Sequence, residues 1–144
     1  MNYAEVKPDI HPSAFVAETA VIIGDVTVEE DASIWYHATV RADRGPVRIG
    51  KGSNIQDNAV IHMDHGLPVD IGERVTVGHS AIVHGAAIGD GSLIGMGAIL
   101  MNRCRIGKNC IIGAGAVGYD CARTLVRMGI TVNLACLEKG DKIL

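Results

Sequence analysis

Ile10-His-Pro-Ser-Ala-Phe-Val16-Ala-Glu-Thr-Ala-Val-Ile22-Ile-Gly-Asp-Val-Thr-Val28-Glu-Glu-Asp-Ala-Ser-Ile34-Trp-Tyr-His-Ala-Thr-Val40 places Ile or Val at every sixth residue. Two places before these residues stand Pro8, Ala14, Ala20, Val26, Ala32 and Ala38, nearly all of them small. The phase lapses after Val40 and resumes at Ile49, Ile55 and Ile61; it lapses again and resumes at Ile71, Val77 and Val83. After one five-residue step it continues through Ile88, Ile94, Leu100, Ile106 and Ile112. A period of six is the mark of a hexapeptide repeat, in which each unit is a short strand and a turn, and three units close one triangular coil of a parallel β-helix. The aliphatic residue points inward, the small residue fits the corner, and the Gly that often follows tolerates the turn. A β-sandwich of alternating strands predicts a period near two and does not account for six.

Composition agrees. Among the 144 residues are 17 Ile and 15 Val against 7 Leu, with 18 Gly and five aromatics (Tyr3, Phe15, Trp35, Tyr36, Tyr119), a bias toward strands and tight turns and away from a helix bundle. The length suits one domain. The net charge of −3, with no strongly basic stretch, argues against nucleic acid and anionic membranes as partners. No apolar run reaches the roughly 18 residues of a membrane span, and Met1 to His11 has no export-signal pattern. The four Cys (Cys104, Cys110, Cys121, Cys136) form no C-x-x-C pair and read as reduced thiols of a cytoplasmic protein.

The two lapses of phase add three residues between Val40 and Ile49 and four between Ile61 and Ile71; both contain Gly and Pro (Gly45-Pro46, Gly66-Leu67-Pro68) and read as loops pushed out at a corner. With them excised, Val40, Ile61, Val83 and Leu100 share one face, and Ile34, Ile55, Val77 and Ile94 a second. Neighbours of inward residues point outward. Arg41, His62 and His84 therefore stack on consecutive coils, while Tyr36, Asp57 and His79 stack on the other face, with Gln56 beside Asp57. His79 points away from the other two within one chain but can reach them from an adjacent subunit. A homotrimer would then build three sites, each with His62 and His84 of one chain and His79 of the next, and would set Arg41 near Asp57 across the interface. Three His with an open position is a catalytic zinc arrangement.

The segments Val40-Arg-Ala-Asp43, Asn54-Ile-Gln-Asp57-Asn-Ala-Val-Ile-His62 and Ile71-Gly-Glu-Arg-Val-Thr-Val-Gly-His79-Ser-Ala-Ile-Val-His84-Gly85 closely resemble the γ-class carbonic anhydrase-like proteins, from about residue 8 to residue 117. The resemblance implies an all-β fold, a left-handed parallel β-helix that departs from the usual right-handed crossover. It also implies a homotrimer with zinc or ferrous iron at its interfaces, and CO2 and bicarbonate as substrate and product. By position it implies His62, His79 and His84 as metal ligands, Arg41, Asp43, Gln56 and Asp57 as structural and supporting residues, and Asn54 as a polar residue lining the site. Such a metal would pull the pKa of a bound water far down, to about 7, supplying hydroxide for CO2, and Gln56 would orient it. The acidic proton-shuttle loop of active members is short here (His62-Met-Asp-His-Gly-Leu-Pro68); Arg44 stands where a Glu would help, and Asp64 and His65 are the remaining candidates.

The repeat runs out after Val117, where Gly118 replaces the aliphatic residue due. Residues 1–117 read as the β-helix and 118–144 as an atypical tail, in which Ala122, Leu125 and Val126 have the spacing of a short helix over 119–129. Met96 and Met101 lie one coil beyond His79 and His84, as pocket walls. Two rival readings stand beside the enzyme: a hexapeptide acyltransferase with one His as general base, and a non-catalytic, metal-stabilised trimeric scaffold.

Overall fold

The computed structural model describes residues 6–113 together with the strand Asn133–Ala135. The Cys121 and Cys136 thiols and the helix expected over 119–129 lie outside the described residues. No helix among the described residues is long and apolar enough to cross a membrane.

The chain is a stack of short parallel strands. On one face Val40 pairs with Ile61, Ile61 with Val83, and Val83 with Leu100. On a second, Val16, Ile34, Ile55, Val77, Ile94 and Ile112 follow one another in register. A third column runs Ile10, Val28, Ile49, Ile71, Ile88, Ile106. These are the residues of the six-residue period, now stacked three units apart, and this is the left-handed parallel β-helix that the repeat and the resemblance imply. From Val28 to Ile94 every inward aliphatic is 3% exposed or less. Burying each such side chain contributes about 1.5–3 kcal/mol. The first and last coils, covered on one side only, leave Ile10 exposed and Ile22, Ile106 and Ile112 partly so.

The corners obey the same register. Ala38, Ala59 and Ala81 stack with no exposure at one of them. At another, the buried Ser53 hydroxyl donates to the Gly72 carbonyl at 2.7 Å and accepts from the Val75 amide at 3.0 Å, so a polar corner residue is satisfied inside the wall. His37, Asn58 and Ser80 take left-handed φ of 59°, 60° and 58° at equivalent turn positions. His37 is therefore a turn residue, with its backbone N–H donating to Thr19 Oγ1 at 3.2 Å.

One lapse of phase differs from expectation. Gly24 pairs with Ala42 and Val26 with Val47, so Asp25 alone opposes Asp43-Arg44-Gly45-Pro46. The three extra residues form a bulge within the continuous strand Thr39–Ile49, rather than a loop outside it. That strand passes from one face to the next, pairing with Val60–His62 at its start and Val69–Ile71 at its end. The second lapse is the expected turn, closed by the Leu67 amide on the Asp64 carbonyl at 3.1 Å. Beyond residue 117, the strand Asn133–Ala135 pairs in parallel with Cys110–Ile112 and extends the second face by one more rung.

Candidate metal centre

His62 and His84 end adjacent strands, Val60–His62 and Ile82–His84, directly opposite each other. Because Ile61 and Val83 point inward, the two imidazoles point outward together. His62 Nδ1 lies 3.1 Å from His84 Nε2, and the rings meet nearly edge-on with centroids 5.0 Å apart. The bulge supplies the next shell: His62 Nε2 is 3.0 Å from Asp43 Oδ1, and Arg41 Nη1 donates to Asp43 Oδ2 at 2.7 Å. Burial pushes the Asp43 carboxyl up, but its hydrogen bond with His62 and the Arg41 guanidinium outweigh this and hold it below the ordinary carboxylate value. An ionised carboxylate can only accept, so the Nε2 of His62 that faces Asp43 is the donor of this contact. Arg41 Nη2 lies 3.5 Å from His62 Nδ1. The carboxylate–imidazole arrangement is the one that commonly supports a metal-binding His.

On the other side of the pair, His84 Nδ1 is 2.7 Å from Asn102 Oδ1, and Asn102 Nδ2 donates to Asp64 Oδ2 at 2.8 Å. The Asn102 amide holds the Asp64 carboxyl below its ordinary value. Asn102 was absent from the sequence-based site. The register carries its signal in hindsight: Met101 continues the column of His62 and His84, which sets Asn102 beside Gly85.

His79 follows the strand Thr76–Val77 in the other sheet. Its Nδ1 is 3.0 Å from Asp57 Oδ2, and its backbone N–H donates to Gln56 Oε1 at 3.2 Å. The chain thus gathers Arg41, Asp43, His62 and His84 in one place and Gln56, Asp57 and His79 in another. Within this single chain, and among the described residues, no three His, Cys, Asp or Glu come together around one metal position. Arg41 pairs with Asp43 and Asp57 with His79, each inside its own group. Asn54 Nδ2 donates to Ser33 Oγ at 2.7 Å, one coil away. His65 is exposed on the turn after His62. Met96 and Met101 are 59% and 60% exposed on the coil beyond the histidines, with Ile99 between them at 61%.

The donor pair fits a divalent cation. Two nitrogens at about 2.05 Å from a tetrahedral zinc lie about 3.3 Å apart, and the facing nitrogens are 3.1 Å apart. Imidazole donors suit zinc and iron alike.

Two families match the later part of the chain: "Bacterial transferase hexapeptide (six repeats)" over residues 85–117 and "Hexapeptide repeat of succinyl-transferase" over residues 103–133. Among curated proteins, the chain is 51% identical over 61 residues to the uncharacterized transferase YtoA of Bacillus subtilis, covering 42% of this chain and 36% of that protein. It is 43% identical over 69 residues to a carbonic anhydrase of Geobacillus kaustophilus, covering 48% and 38% respectively. Among solved structures, a hexapeptide transferase family protein of Anaplasma phagocytophilum superposes with a TM-score of 0.73 at 40% identity, covering 76% of this chain and 64% of that one. An acetyltransferase candidate from Bacillus cereus superposes with a TM-score of 0.65 at 34% identity, covering 74% and 73%. The matches span between 23% and 38% of the length of the first curated relatives. With the stacked repeat and the histidine column, these likenesses define the class: the chain belongs to the hexapeptide-repeat superfamily. Within it, the chain is similar over part of their length to proteins named carbonic anhydrase.

Proposed function

We propose that this protein catalyses the reversible hydration of CO2 to bicarbonate as a metal-dependent homotrimer. Each site would be built from His62 and His84 of one subunit and the partner subunit's His79. The observation that carries the proposal is the facing of His62 Nδ1 and His84 Nε2 at 3.1 Å, with Asp43 behind His62. Zinc or ferrous iron bound there would act as a Lewis acid, bringing water to a pKa near 7.

The chain's own residues would do the rest. Asp43 and Arg41 hold the His62 ring in one orientation. Asp57 does the same for His79, and Gln56, beside the His79 backbone, carries the amide that would orient the reacting oxygen. Asn54 would line the site through its carboxamide. The exposed Met96, Ile99 and Met101 would wall it against bulk water once a neighbour packs on them, and exposed Trp35 and Tyr36 would serve the same interface. His65, on the open turn after His62, is the candidate to pass the released proton to solvent, whereas Asp64 is held ionised by Asn102. Half-buried free thiols at Cys104 and Cys110 suit a reducing, cytoplasmic setting.

The test is a stopped-flow CO2 hydration assay on the purified, metal-analysed protein, with His79→Ala as control. Metal-loaded protein without hydration activity would leave the scaffold reading. YtoA and the Anaplasma phagocytophilum protein are named as transferases, and the name of the Bacillus cereus structure, an acetyltransferase candidate, supports acyl transfer as the second reading. It predicts thiol release from acetyl-CoA in the presence of an acceptor, with no requirement for bound metal.

A further inference from the structure

Behind His84 runs a chain of hydrogen bonds, through Asn102 to Asp64, whose direction is fixed by chemistry alone. The Asp64 carboxylate can only accept, so the side of the Asn102 carboxamide that faces it is Nδ2, at 2.8 Å. The other side, Oδ1, then faces His84 Nδ1 at 2.7 Å. An amide oxygen can only accept, so Nδ1 of His84 must carry its proton. In the neutral imidazole that leaves Nε2 as a bare lone pair, and Nε2 is the atom 3.1 Å from His62.

A second observation comes from the backbone. A Cβ added to Gly85 would lie 2.3 Å from Asn102 Oδ1 and 3.2 Å from its Cγ, and Gly85 has a φ of +55°. The residue after His84 is thus one that leaves room for the Asn102 carboxamide to reach the ring. The Arg103 amide, bonded to the Gly85 carbonyl at 2.7 Å, fixes the backbone beside it.

We infer that Asn102 is a positioning residue for the metal centre: held by Asp64 and admitted by Gly85, it sets the tautomer of His84 and aims its bare Nε2 at His62. This rests on the proposed metal reading of the same site. Asn102 does for His84 what Asp43 does for His62, but with a neutral amide whose orientation is borrowed from a carboxylate one step further out. With its proton on Nδ1, neutral His84 turns the lone pair of Nε2 toward His62 Nδ1, 3.1 Å away.

The experiment reads the tautomer directly. Long-range 15N–1H correlation spectra of the full-length, metal-free protein, at a pH where the ring is neutral, should show His84 protonated on Nδ1. In Asn102→Leu, of similar volume, His84 should become a mixture of tautomers, and zinc affinity by chelator competition should fall about 10–100-fold. The reversed pair Asp64→Asn/Asn102→Asp keeps a donor facing an acceptor at each step; it should return His84 to the Nδ1–H tautomer and recover most of the affinity. Circular dichroism establishes that each variant folds, and the reversed pair carries the test if Asn102→Leu does not. The proposal is overturned if His84 keeps its Nδ1 proton in Asn102→Leu, or if the reversed pair folds without restoring the tautomer. Failure of the wild-type protein to bind zinc would instead remove the metal reading, leaving the spectra to decide the role of Asn102.

Discussion

The two histidine neighbourhoods are made from the same repeat and differ in what the repeat can do for them. On one face, His62 and His84 occupy the same place on successive coils. Parallel register therefore stacks them ring against ring, and the His62 side chain is 13% exposed. On the other face, His79 stands two residues past its inward neighbour Val77, beside the turn, with its side chain 49% exposed and Asp57 as its partner. Vertical stacking can place one histidine over another. It cannot bring two faces of a prism together, so a site needing all three is half built in one chain and awaits its remainder from another.

The largest effect should come from separating the halves. His62→Ala and His79→Ala should each lower zinc affinity more than 100-fold in the assembled protein, by removing one of three ligands. Refolding the two variants together should restore complete sites, about a quarter of the total if chains assort at random around a threefold axis. Zinc stoichiometry measures this, and a mixture as metal-free as its components would contradict a shared site. A smaller contrast lies in the supporting carboxylates. Asp43→Asn can no longer act as an ionised acceptor for His62 and should weaken zinc binding about 10–100-fold. Asp57→Asn, beside the more exposed His79, should cost less, as chelator competition would show.

Beneath the paired histidines, Ile61→Val removes one methylene from a side chain with no exposure and should cost about 0.5–1.5 kcal/mol. Val60→Ala, on the outward side of the same strand and 37% exposed, should change the denaturant midpoint less. The smallest effect belongs to the third face, remote from both histidine groups. The Lys108 ammonium and the Glu73 amide hold the Asp90 carboxyl below its ordinary value of 3.8. A depressed carboxylate contributes stability that is present above the unfolded value and is lost as pH falls through the folded one. Asp90→Asn should therefore flatten the acid arm of the stability curve below about pH 4, with urea midpoints at pH 7 and pH 3 as the measurement.

Much of this was legible in the sequence because the repeat is a ruler. Each predicted stack from Val40 to Leu100 and from Ile34 to Ile94 is a strand pairing in the structure. Counting six at a time, with the excess residues around Gly66-Leu67-Pro68 excised, put His62 over His84. The bulge was harder to read: three extra residues containing Gly45 and Pro46 suit an outer loop as well as an inner kink. Only the kink tucks the Asp43 side chain, 6% exposed, against the histidine column. Asn102 was missed for a related reason. It lies just past its strand, where the period says which residue it neighbours and nothing about where a side chain turns.

The sequence by itself determined the coil, the corners and the columns, because a narrow triangular bore admits one kind of residue at each inward position and repeats that demand every sixth place. It also determined which histidines could share a column. Tertiary structure alone decided which nitrogen of each ring faces a carboxylate or an amide. That depends on carboxylates and an amide from other coils, brought within hydrogen-bonding distance by a bulge after Ala42, a turn after Met63 and the missing side chain of Gly85. A period fixes where backbones lie, while a proton's position is set by whichever acceptor comes closest.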